Sequence, residues 1–197
     1  MKKCIFTCLA LVIFAKAWSQ TPAVLPLKIG EKAPLIEGTD NNGKKLKLKS
    51  LLKEHNAVVI FFYRGQWDPY CIKEVKAYQD SIAMFKTKNA FVIAVTPEND
   101  LGVSTTVSKT GASFSIIHDT QYKIMKLFGV NITVDDATLA LMHKYRIDID
   151  ANNGNRDHIL PVPATFVIAK NGKITFIHFE QSYKNRASVQ EVLNAIL

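Results

Sequence analysis

The fold of this chain is decided by a buried strand that leads into a helix, in residues 57–71, which read AVVIFFYRGQWDPYC. Ala57 to Tyr63 are continuously apolar, which is typical of a strand buried on both faces of a sheet. Asp68 suits the N-cap of a helix, and Pro69 suits the first helical position, where a missing N–H costs nothing. Apolar residues then recur at helical spacing, which predicts a helix over residues 69–87.

The segments around this unit predict a sheet with both parallel and antiparallel neighbours. A second buried strand is predicted over residues 90–95, and the order strand, helix, strand implies a right-handed crossover and a parallel pair. Asn-Gly turns indicate hairpins at two places, within residues 34–51 and between strands at 164–168 and 173–179. With a closing helix over residues 188–196, the chain is predicted to be one α/β domain with a central mixed sheet flanked by helices and an N-terminal β extension.

The middle of the chain gives weaker signals. The Ser- and Thr-rich stretch 101–110 is predicted to be a poor helix, and the stretch 148–157 a polar loop. Between them the sequence predicts a short strand over 114–117, a helix capped by Asp119 and ending near 128, and a further helix over 134–145.

The first nineteen residues have the features of a secretory signal peptide. Two lysines precede an apolar run over residues 4–15, and small residues follow at Ala17 and Ser19. The run is shorter than the ~20 residues that usually cross a bilayer. We predict cleavage after Ser19, although a cut after Ala17 fits almost as well, and hence a domain over 20–197 that is exported to the periplasm or the extracellular space. The alternative is a retained anchor, which is the one way in which a membrane would be involved.

Composition and charge limit the possible partners. The chain is 48% apolar and 21% charged, which excludes an intrinsically disordered protein. Cleavage after Ser19 removes three lysines and no acid, leaving +5 of the net charge of +8. This excess contains no arginine cluster, so no nucleic acid partner is predicted. Cleavage also removes Cys4 and Cys8, so Cys71 remains without a partner for an internal disulfide.

The chemistry of the chain is predicted to depend on Cys71. The residue falls in the first turn of the predicted helix, where unpaired N–H groups and the helix dipole stabilise a thiolate. Arg64 would act in the same direction if it folds back across the loop, whereas the Asp68 carboxylate would raise the pKa of the thiol. The alternative is that Cys71 is a buried small hydrophobic residue and that Asp68 serves only as the helix cap.

Three segments together resemble a bacterial peroxiredoxin-like branch of the AhpC/TSA family. Residues 64–71, RGQWDPYC, resemble its F-Y-R-G-x-W-C-P-Y-C segment. LPVPATFVI at 160–168, followed by NGKI at 171–174, resembles its L-P-V-P-A-T-[YF]-V-I-D-x-x-G-x-I. Residues 183–186 are similar to its D-Y-x-x-R. The resemblance covers the chain from about residue 30 to the end and implies a thioredoxin-like fold with thiol-based redox chemistry, either peroxide reduction or thiol–disulfide exchange.

The sequence departs from this family at the first cysteine of C-P-Y-C, which is Asp68 here. In peroxiredoxins the pattern is T-x-x-C, and by that register Cys71 corresponds to the peroxidatic cysteine. Asp68 then replaces the hydroxyl residue that orients the peroxide. The peroxiredoxin arginine expected just before the A-T-F strand is also absent, since that position is Pro163.

The resemblance also implies which residues surround the thiol. Trp67, Pro69 and Tyr70 are predicted to line a shallow rim where substrate binds, although Tyr70 could instead belong to the core. Pro163 is implied to be a cis-proline that holds the backbone of Val162 near the thiol, with an ordinary trans-proline as the alternative.

Two functions remain open from the sequence. The first is an exported single-Cys peroxiredoxin-like antioxidant enzyme, in which Cys71 attacks a peroxide, becomes a sulfenic acid and is restored by an external thiol reductant. The second is a redox-inactive thioredoxin-fold module that binds extended peptides or a partner protein beside Pro163 and Trp67, or a relative of thiol–disulfide oxidoreductases that has lost its dithiol. The five histidines show no metal-binding spacing and nucleotide-binding glycine motifs are absent, so neither a metal nor another cofactor is predicted.

Overall fold

The computed structural model describes residues 27–196, which form nine strands and eight α-helices. The strands are β1 (Glu37–Thr39), β2 (Lys45–Lys47), β3 (Ala57–Phe62), β4 (Ala90–Thr96), β5 (Ser115–His118), β6 (Asn131–Thr133), β7 (Ile159–Pro161), β8 (Ala164–Ala169) and β9 (Ile174–Phe179). The helices are α1 (Leu48–Glu54), α2 (Pro69–Asp80), α3 (Ile82–Thr87), α4 (Asp100–Thr110), α5 (Lys123–Leu127), α6 (Asp136–Lys144), α7 (Ile149–Asn153) and α8 (Val189–Asn194).

The central sheet has five strands in the order β5-β4-β3-β8-β9. β3 pairs with β4 in parallel and with β8 antiparallel, so the predicted crossover and the predicted mixed sheet are both confirmed. All six residues of β3 are buried because the strand has neighbours on both sides and helices on both faces. The C-terminal end of this strand is therefore a fixed point from which the following loop starts.

Alternate side chains of β3 enter two different hydrophobic clusters. Val58, Ile60 and Phe62 face the cluster that includes α1 and α5. The intervening residues face the cluster that includes α2 and α8, and the side chain of Cys71 belongs to this second cluster. Burying one large apolar side chain contributes about 1.5–3 kcal/mol, so these two clusters are the main source of stability available to a domain with one cysteine.

Both predicted Asn-Gly turns are present. Gly43 and Gly172 have φ angles of +79° and +78°, which a glycine adopts without the steric cost of a Cβ. The first turn joins β1 to β2 and forms the predicted N-terminal β extension. This hairpin is held against the central sheet by Asp40, whose carboxylate accepts a hydrogen bond of 2.6 Å from the Ser115 hydroxyl.

Helix boundaries differ from the sequence prediction at two places where a helix was expected to be longer. The helix predicted over 69–87 is two helices, α2 and α3, because Ser81 has φ −104° and ψ 7° between them. The helix predicted after Asp119 is a 3₁₀ turn, Thr120–Tyr122, followed by the short α5. Asp119 still caps it, since its carboxylate accepts the N–H groups of Ile124 and Met125.

Three further predictions were wrong because helices were missed or underrated. The strand predicted up to residue 51 gives way to α1, which buries three leucines on one face. The Ser- and Thr-rich stretch is a full helix, α4, because Asn99 caps its start and Gly111 ends it in the left-handed region. The predicted polar loop contains α7, which is capped by Asp148. The short pair β6–β7 was not predicted.

The predicted signal peptide, residues 1–19, lies outside the described residues. Within residues 27–196, no helix is long and apolar enough to cross a membrane. The same range contains no group of three or more His, Cys, Asp or Glu side chains that could hold a metal ion.

Candidate functional site

The loop between β3 and α2, residues 64–68, places Cys71 at the C-terminal end of the central strand. Asp68 is the N-cap of α2, as predicted, and its Oδ1 accepts the N–H of Tyr70 at 2.8 Å. Pro69 occupies the first helical position and is exposed. Cys71 is consequently the third residue of the helix, and its side chain turns inward under the loop.

The Cys71 sulfur has three polar neighbours. Its S–H donates to Asp68 Oδ2 at 3.1 Å, and the sulfur accepts the backbone N–H of Arg64 at 3.3 Å. The third neighbour is the guanidinium of Arg186, whose Nη2 lies 3.6 Å from Sγ and 3.8 Å from Asp68 Oδ2. The sulfur therefore lies between one carboxylate and two groups that donate hydrogen bonds.

A buried ion pair holds Arg186 over the sulfur. Its Nε donates to Glu74 Oε2 at 2.7 Å, and the side chains of Arg186 and Glu74 are only 11% and 3% exposed. The guanidinium also donates to the backbone carbonyls of Tyr183 and Asn185. Arg186 thus links the segment after β9 to the first turns of α2.

Sequence reasoning assigned no role to Arg186 or Glu74, although each carried a signal. Arg186 is the last residue of the D-Y-x-x-R-like segment. Glu74 follows Cys71 by three residues, and it belongs with Cys71, Val75 and Tyr78 to the buried stripe of α2. A charged residue in such a stripe is a reason to look for a buried partner.

The electrostatic balance at Cys71 favours the protonated thiol. Burial raises the pKa of Cys71 far above its usual value, and the negative charges of Asp68 and Glu74 raise it further. Arg186 and the Arg64 N–H lower the pKa but do not offset these effects. The thiol form is also the one that can donate to Asp68. Burial, which the prediction from the sequence did not include, is therefore the largest influence on the pKa of the thiol, and Asp68 adds to it.

Aromatic and cationic side chains pack around the loop that carries the site, whereas the Cys71 side chain itself is 0% exposed. Tyr70 is 36% exposed and packs edge-on against Tyr183, with ring centroids 5.7 Å apart. The Arg64 guanidinium lies 5.2 Å from the centroid of the Tyr183 ring, and its Nε donates to the carbonyl of Pro161 at 3.2 Å. Tyr70 is thus a surface residue and not part of the core. The Arg64 side chain extends to Pro161 and Tyr183, while its backbone N–H donates to the sulfur.

Trp67 belongs to a different group of side chains. It packs against a small cluster formed by Val134, Leu139, Ile149 and Leu160, and its buried Nε1 has no hydrogen-bond partner among the described residues. The segments that form this cluster were weakly predicted from the sequence, so a packing role for the indole could not be anticipated.

The implied cis-proline at position 163 is wrong. Pro163 has a trans peptide bond, as do all the described residues. The N–H of Val162 donates to the carbonyl of Val130 at 2.7 Å, and both Val162 and Pro163 are buried. The unpredicted β6–β7 pair therefore takes up the backbone that was expected to face the thiol.

We expect Asp68→Asn to make Cys71 more reactive. Asparagine is as good an N-cap as aspartate, so the substitution keeps α2 while it removes a negative charge 3.1 Å from the sulfur. The rate of alkylation by iodoacetamide at neutral pH should rise at least about tenfold, the effect of one pKa unit. Asp80→Asn, which removes an exposed carboxylate from the same helix, is the control and should react like the wild type. A rate for Asp68→Asn equal to or below that of the wild type would contradict the electrostatic assignment.

A central mixed sheet whose middle strand leads to a thiol in the first turn of a helix defines an α/β protein of the thioredoxin-like class. Residues 29–177 match the model of the AhpC/TSA family, and the chain belongs to this family. Two solved structures illustrate the shared fold. Peroxidoxin BcpB from Mycobacterium tuberculosis has a TM-score of 0.67 at 20% identity, over 86% of this chain and 96% of that one. A yeast mitochondrial 1-Cys peroxiredoxin has a TM-score of 0.66 at 20% identity, over 86% and 75%.

Two curated relatives illustrate two kinds of redox protein that the chain resembles. A putative peroxiredoxin bcp from Helicobacter pylori is 29% identical over 102 residues, which is 52% of this chain and 66% of that protein. The match therefore covers slightly less than two thirds of the length of this relative. The thiol–disulfide oxidoreductase ResA from Bacillus thuringiensis is 28% identical over 149 residues, which is 75% of this chain and 68% of that protein.

Proposed function

We propose that the protein is an exported single-cysteine peroxidase, in which Cys71 is oxidised by a peroxide and restored by an external thiol. Membership of the AhpC/TSA family and relatives of the peroxiredoxin and thiol–disulfide oxidoreductase kinds support a redox function. The observation that carries the proposal is the setting of the sulfur, which is bonded to Asp68 and to the Arg64 N–H and lies 3.6 Å from the Arg186 guanidinium. Export is supported by the features of residues 1–19 alone.

The two oxygens of Asp68 have different roles in this mechanism. Oδ1 caps the helix through Tyr70, while Oδ2 accepts the Cys71 S–H. Oδ2 can therefore remove the thiol proton as the sulfur attacks, which is general base catalysis within hydrogen-bond reach. The position where the family motif has its first cysteine thus carries a carboxylate that disfavours a free thiolate but can accept the thiol proton during the attack on peroxide.

In the oxidation step, the sulfur attacks one peroxide oxygen and the O–O bond breaks. The thiol becomes a sulfenic acid, and the other oxygen leaves as water or an alcohol with the proton that Asp68 took up. Negative charge develops on the sulfur and on the leaving oxygen in the transition state. The guanidinium of Arg186 is the cation placed to stabilise it.

In the restoring step, two external thiols are consumed. The first condenses with the sulfenic acid, which releases water and leaves a mixed disulfide on Cys71. The second attacks that disulfide, which returns the Cys71 thiol and releases the external disulfide. External thiols are required because Cys71 is the only cysteine within residues 27–196.

The test is the trapping of a sulfenic acid. We expect treatment of the protein with hydrogen peroxide and dimedone to add the mass of one dimedone to the peptide that contains Cys71. Cys71→Ser should show no adduct, and alkylation of the untreated protein establishes that reagents reach the sulfur. Failure to form the adduct in a protein whose Cys71 is alkylated would refute the peroxidase function.

The second candidate is a redox-inactive binding module with the same fold. It is favoured by one observation: the Cys71 side chain is 0% exposed, and its pKa is raised by burial. In this case the thiol contributes to packing, and Cys71→Ser leaves the binding of a partner peptide unchanged. A protein that is alkylated at Cys71 but forms no sulfenic acid would fit this candidate.

A further inference from the structure

A further buried carboxylate, Glu98, packs against the loop that carries the site. Glu98 follows β4 and precedes α4, and its side chain is 0% exposed. Its Oε1 accepts the backbone N–H of Gln66 at 2.7 Å, and its Oε2 accepts the hydroxyl of Thr106 at 3.3 Å. Glu98 thus joins the middle of the loop 64–68 to the body of α4.

Two glycines make room for this carboxylate. A Cβ on Gly65 would lie 2.9 Å from Glu98 Oε1, and a Cβ on Gly102 would lie 2.8 Å from the same oxygen. Both distances are too short for real atoms, so the carboxylate is packed against bare backbone on two sides. The start of α4 is shaped around Glu98. The loop at Gly65 is packed against both Glu98 and the Trp67 indole, whose Nε1 would lie 2.5 Å from a Cβ there.

Gln66, which Glu98 binds, is also held by groups from two other positions. Lys109 on α4 donates to the Gln66 backbone carbonyl at 3.1 Å and to its side-chain oxygen at 2.5 Å. The Gln66 side-chain amide donates to Asn152 on α7 at 3.3 Å. The loop is therefore fixed at one residue by four hydrogen bonds, two residues after Arg64, whose N–H donates to the Cys71 sulfur.

A stabilising ion pair does not explain the burial of Glu98. Among the described residues no cation lies within ion-pair distance of its carboxylate, since Lys109 binds Gln66 instead. Removing an unpaired carboxylate from water costs free energy that its hydrogen bonds offset only in part. A group retained at such a cost points to a role in the geometry of the loop.

We infer that Glu98 is a positioning residue, which fixes the loop 64–68 and through it the hydrogen bond from the Arg64 N–H to the Cys71 sulfur. The inference rests on the proposed function only in taking Cys71 as the reacting group. Glu98 is not among the hydrogen-bond partners of the sulfur, so it acts through Gln66.

The charge of Glu98 changes close to neutrality. Burial raises its pKa to about 7, while the hydrogen bonds from Gln66 and Thr106, the nearby Tyr63 phenol and the charge of Lys109 lower it. These are the titratable and polar groups that face it: the Tyr63 phenol after β3, Lys109 and Thr106 on α4, and Gln66 on the loop. The ionised carboxylate is the stronger acceptor for the Gln66 N–H, so the loop is held more firmly above this pKa than below it.

The test is the pH dependence of Cys71 alkylation, measured on both sides of neutrality. In the wild type, the logarithm of the rate should show an inflection near the pKa of Glu98, in addition to the rise from thiol ionisation. Glu98→Gln keeps the size and an acceptor for Gln66 but cannot ionise, so it should lose the inflection and react at nearly the rate of the wild type at low pH. Asp100→Asn, at an exposed acid in the first turn of α4, is the control and should keep the inflection.

Glu98→Ala should lose the inflection and alter the alkylation rate about fivefold or more, because the Gln66 N–H loses its acceptor. An inflection that persists in Glu98→Gln would overturn the inference, and so would a wild-type rate in a folded Glu98→Ala. If Glu98→Ala does not fold, the Gln variant decides alone. Alkylation needs no peroxide, so a chain that passes this test yet forms no sulfenic acid would refute only the peroxidase function.

Discussion

Arg186→Ala is expected to lower the free energy of unfolding by about 3–5 kcal/mol above neutral pH, the usual cost of removing one partner of a buried ion pair. Glu74 would remain 3% exposed in the core of the fold with its 2.7 Å hydrogen bond to Arg186 missing. Asp68 would lose a cation 3.8 Å from its Oδ2. Two carboxylates would then share a buried region in which Arg64 still interacts with Asp68.

The pH dependence of this loss follows from the titration of Glu74. Burial raises the pKa of Glu74 to about 7 even with Arg186 beside it, and removal of Arg186 will raise it further. Once the carboxyl is protonated it needs no cation. The difference in stability between wild type and variant should therefore be largest above the raised pKa of Glu74 in the variant, and it should shrink as the pH falls from there to the wild-type value of about 7.

Urea unfolding at several pH values measures this effect. The double variant Glu74→Gln/Arg186→Ala should be more stable than Arg186→Ala alone, because the charge that needs compensation is gone. Lys76→Ala, which breaks an exposed ion pair with Asp80 on the same helix, is the control and should cost at most about 1 kcal/mol. An Arg186→Ala variant as stable as the wild type above neutral pH would show that the pair contributes nothing.

The parts of the fold that could be predicted were those with a local signal. The apolar run of β3 and the two Asn-Gly turns identify a doubly buried strand and two hairpins without knowledge of any distant contact. α1 was missed for a local reason as well. The alternation in KLKLK at 45–49 has the period of a strand, whereas a helix already begins at Leu48 and buries Leu51 and Leu52.

The candidate site likewise combines residues that are close in the sequence with one that only the fold brings near. Arg64, Asp68 and Cys71 lie within eight residues of each other, and their mutual geometry follows from one loop and one helix cap. Arg186 comes from a position 115 residues beyond Cys71, so only the fold brings it to the sulfur. Spacing in the sequence cannot indicate which remote charge faces a buried group. The sequence alone therefore could not decide whether the pKa of Cys71 is raised or lowered, because Glu74 and Arg186 both act on it.

Asp68→Cys is expected to give the chain a disulfide that it cannot now form. The Asp68 and Cys71 side chains already point at each other, with Oδ2 and Sγ 3.1 Å apart, so a thiol at position 68 would lie within reach of Cys71. The substitution also removes the carboxylate that raises the pKa of Cys71, which increases the thiolate fraction. The cost is the helix cap on Tyr70, about 1 kcal/mol.

The variant should therefore gain thiol–disulfide exchange. Reaction with an external disulfide transfers two electrons from the paired thiols, which become an internal disulfide while the external disulfide becomes two thiols. Mass spectrometry of the oxidised variant should show the loss of two hydrogens in the peptide that spans both positions. Reduction of insulin disulfides should exceed that of the wild type at least about tenfold, because residues 27–196 of the wild type contain no second thiol to release the mixed disulfide.

Lys73→Cys is the matched control for this experiment, since it adds one thiol to the same helix. Position 73 is exposed and lies two residues from Cys71, and residues two apart on a helix do not face each other. This variant should form no internal disulfide and should reduce insulin disulfides no faster than the wild type. If Asp68→Cys behaves like Lys73→Cys, the two side chains do not face each other as described, and the assignment of Asp68 as the base for Cys71 fails with it. If only Asp68→Cys gains the activity, position 68 decides between a dithiol and a single-thiol chemistry on one scaffold.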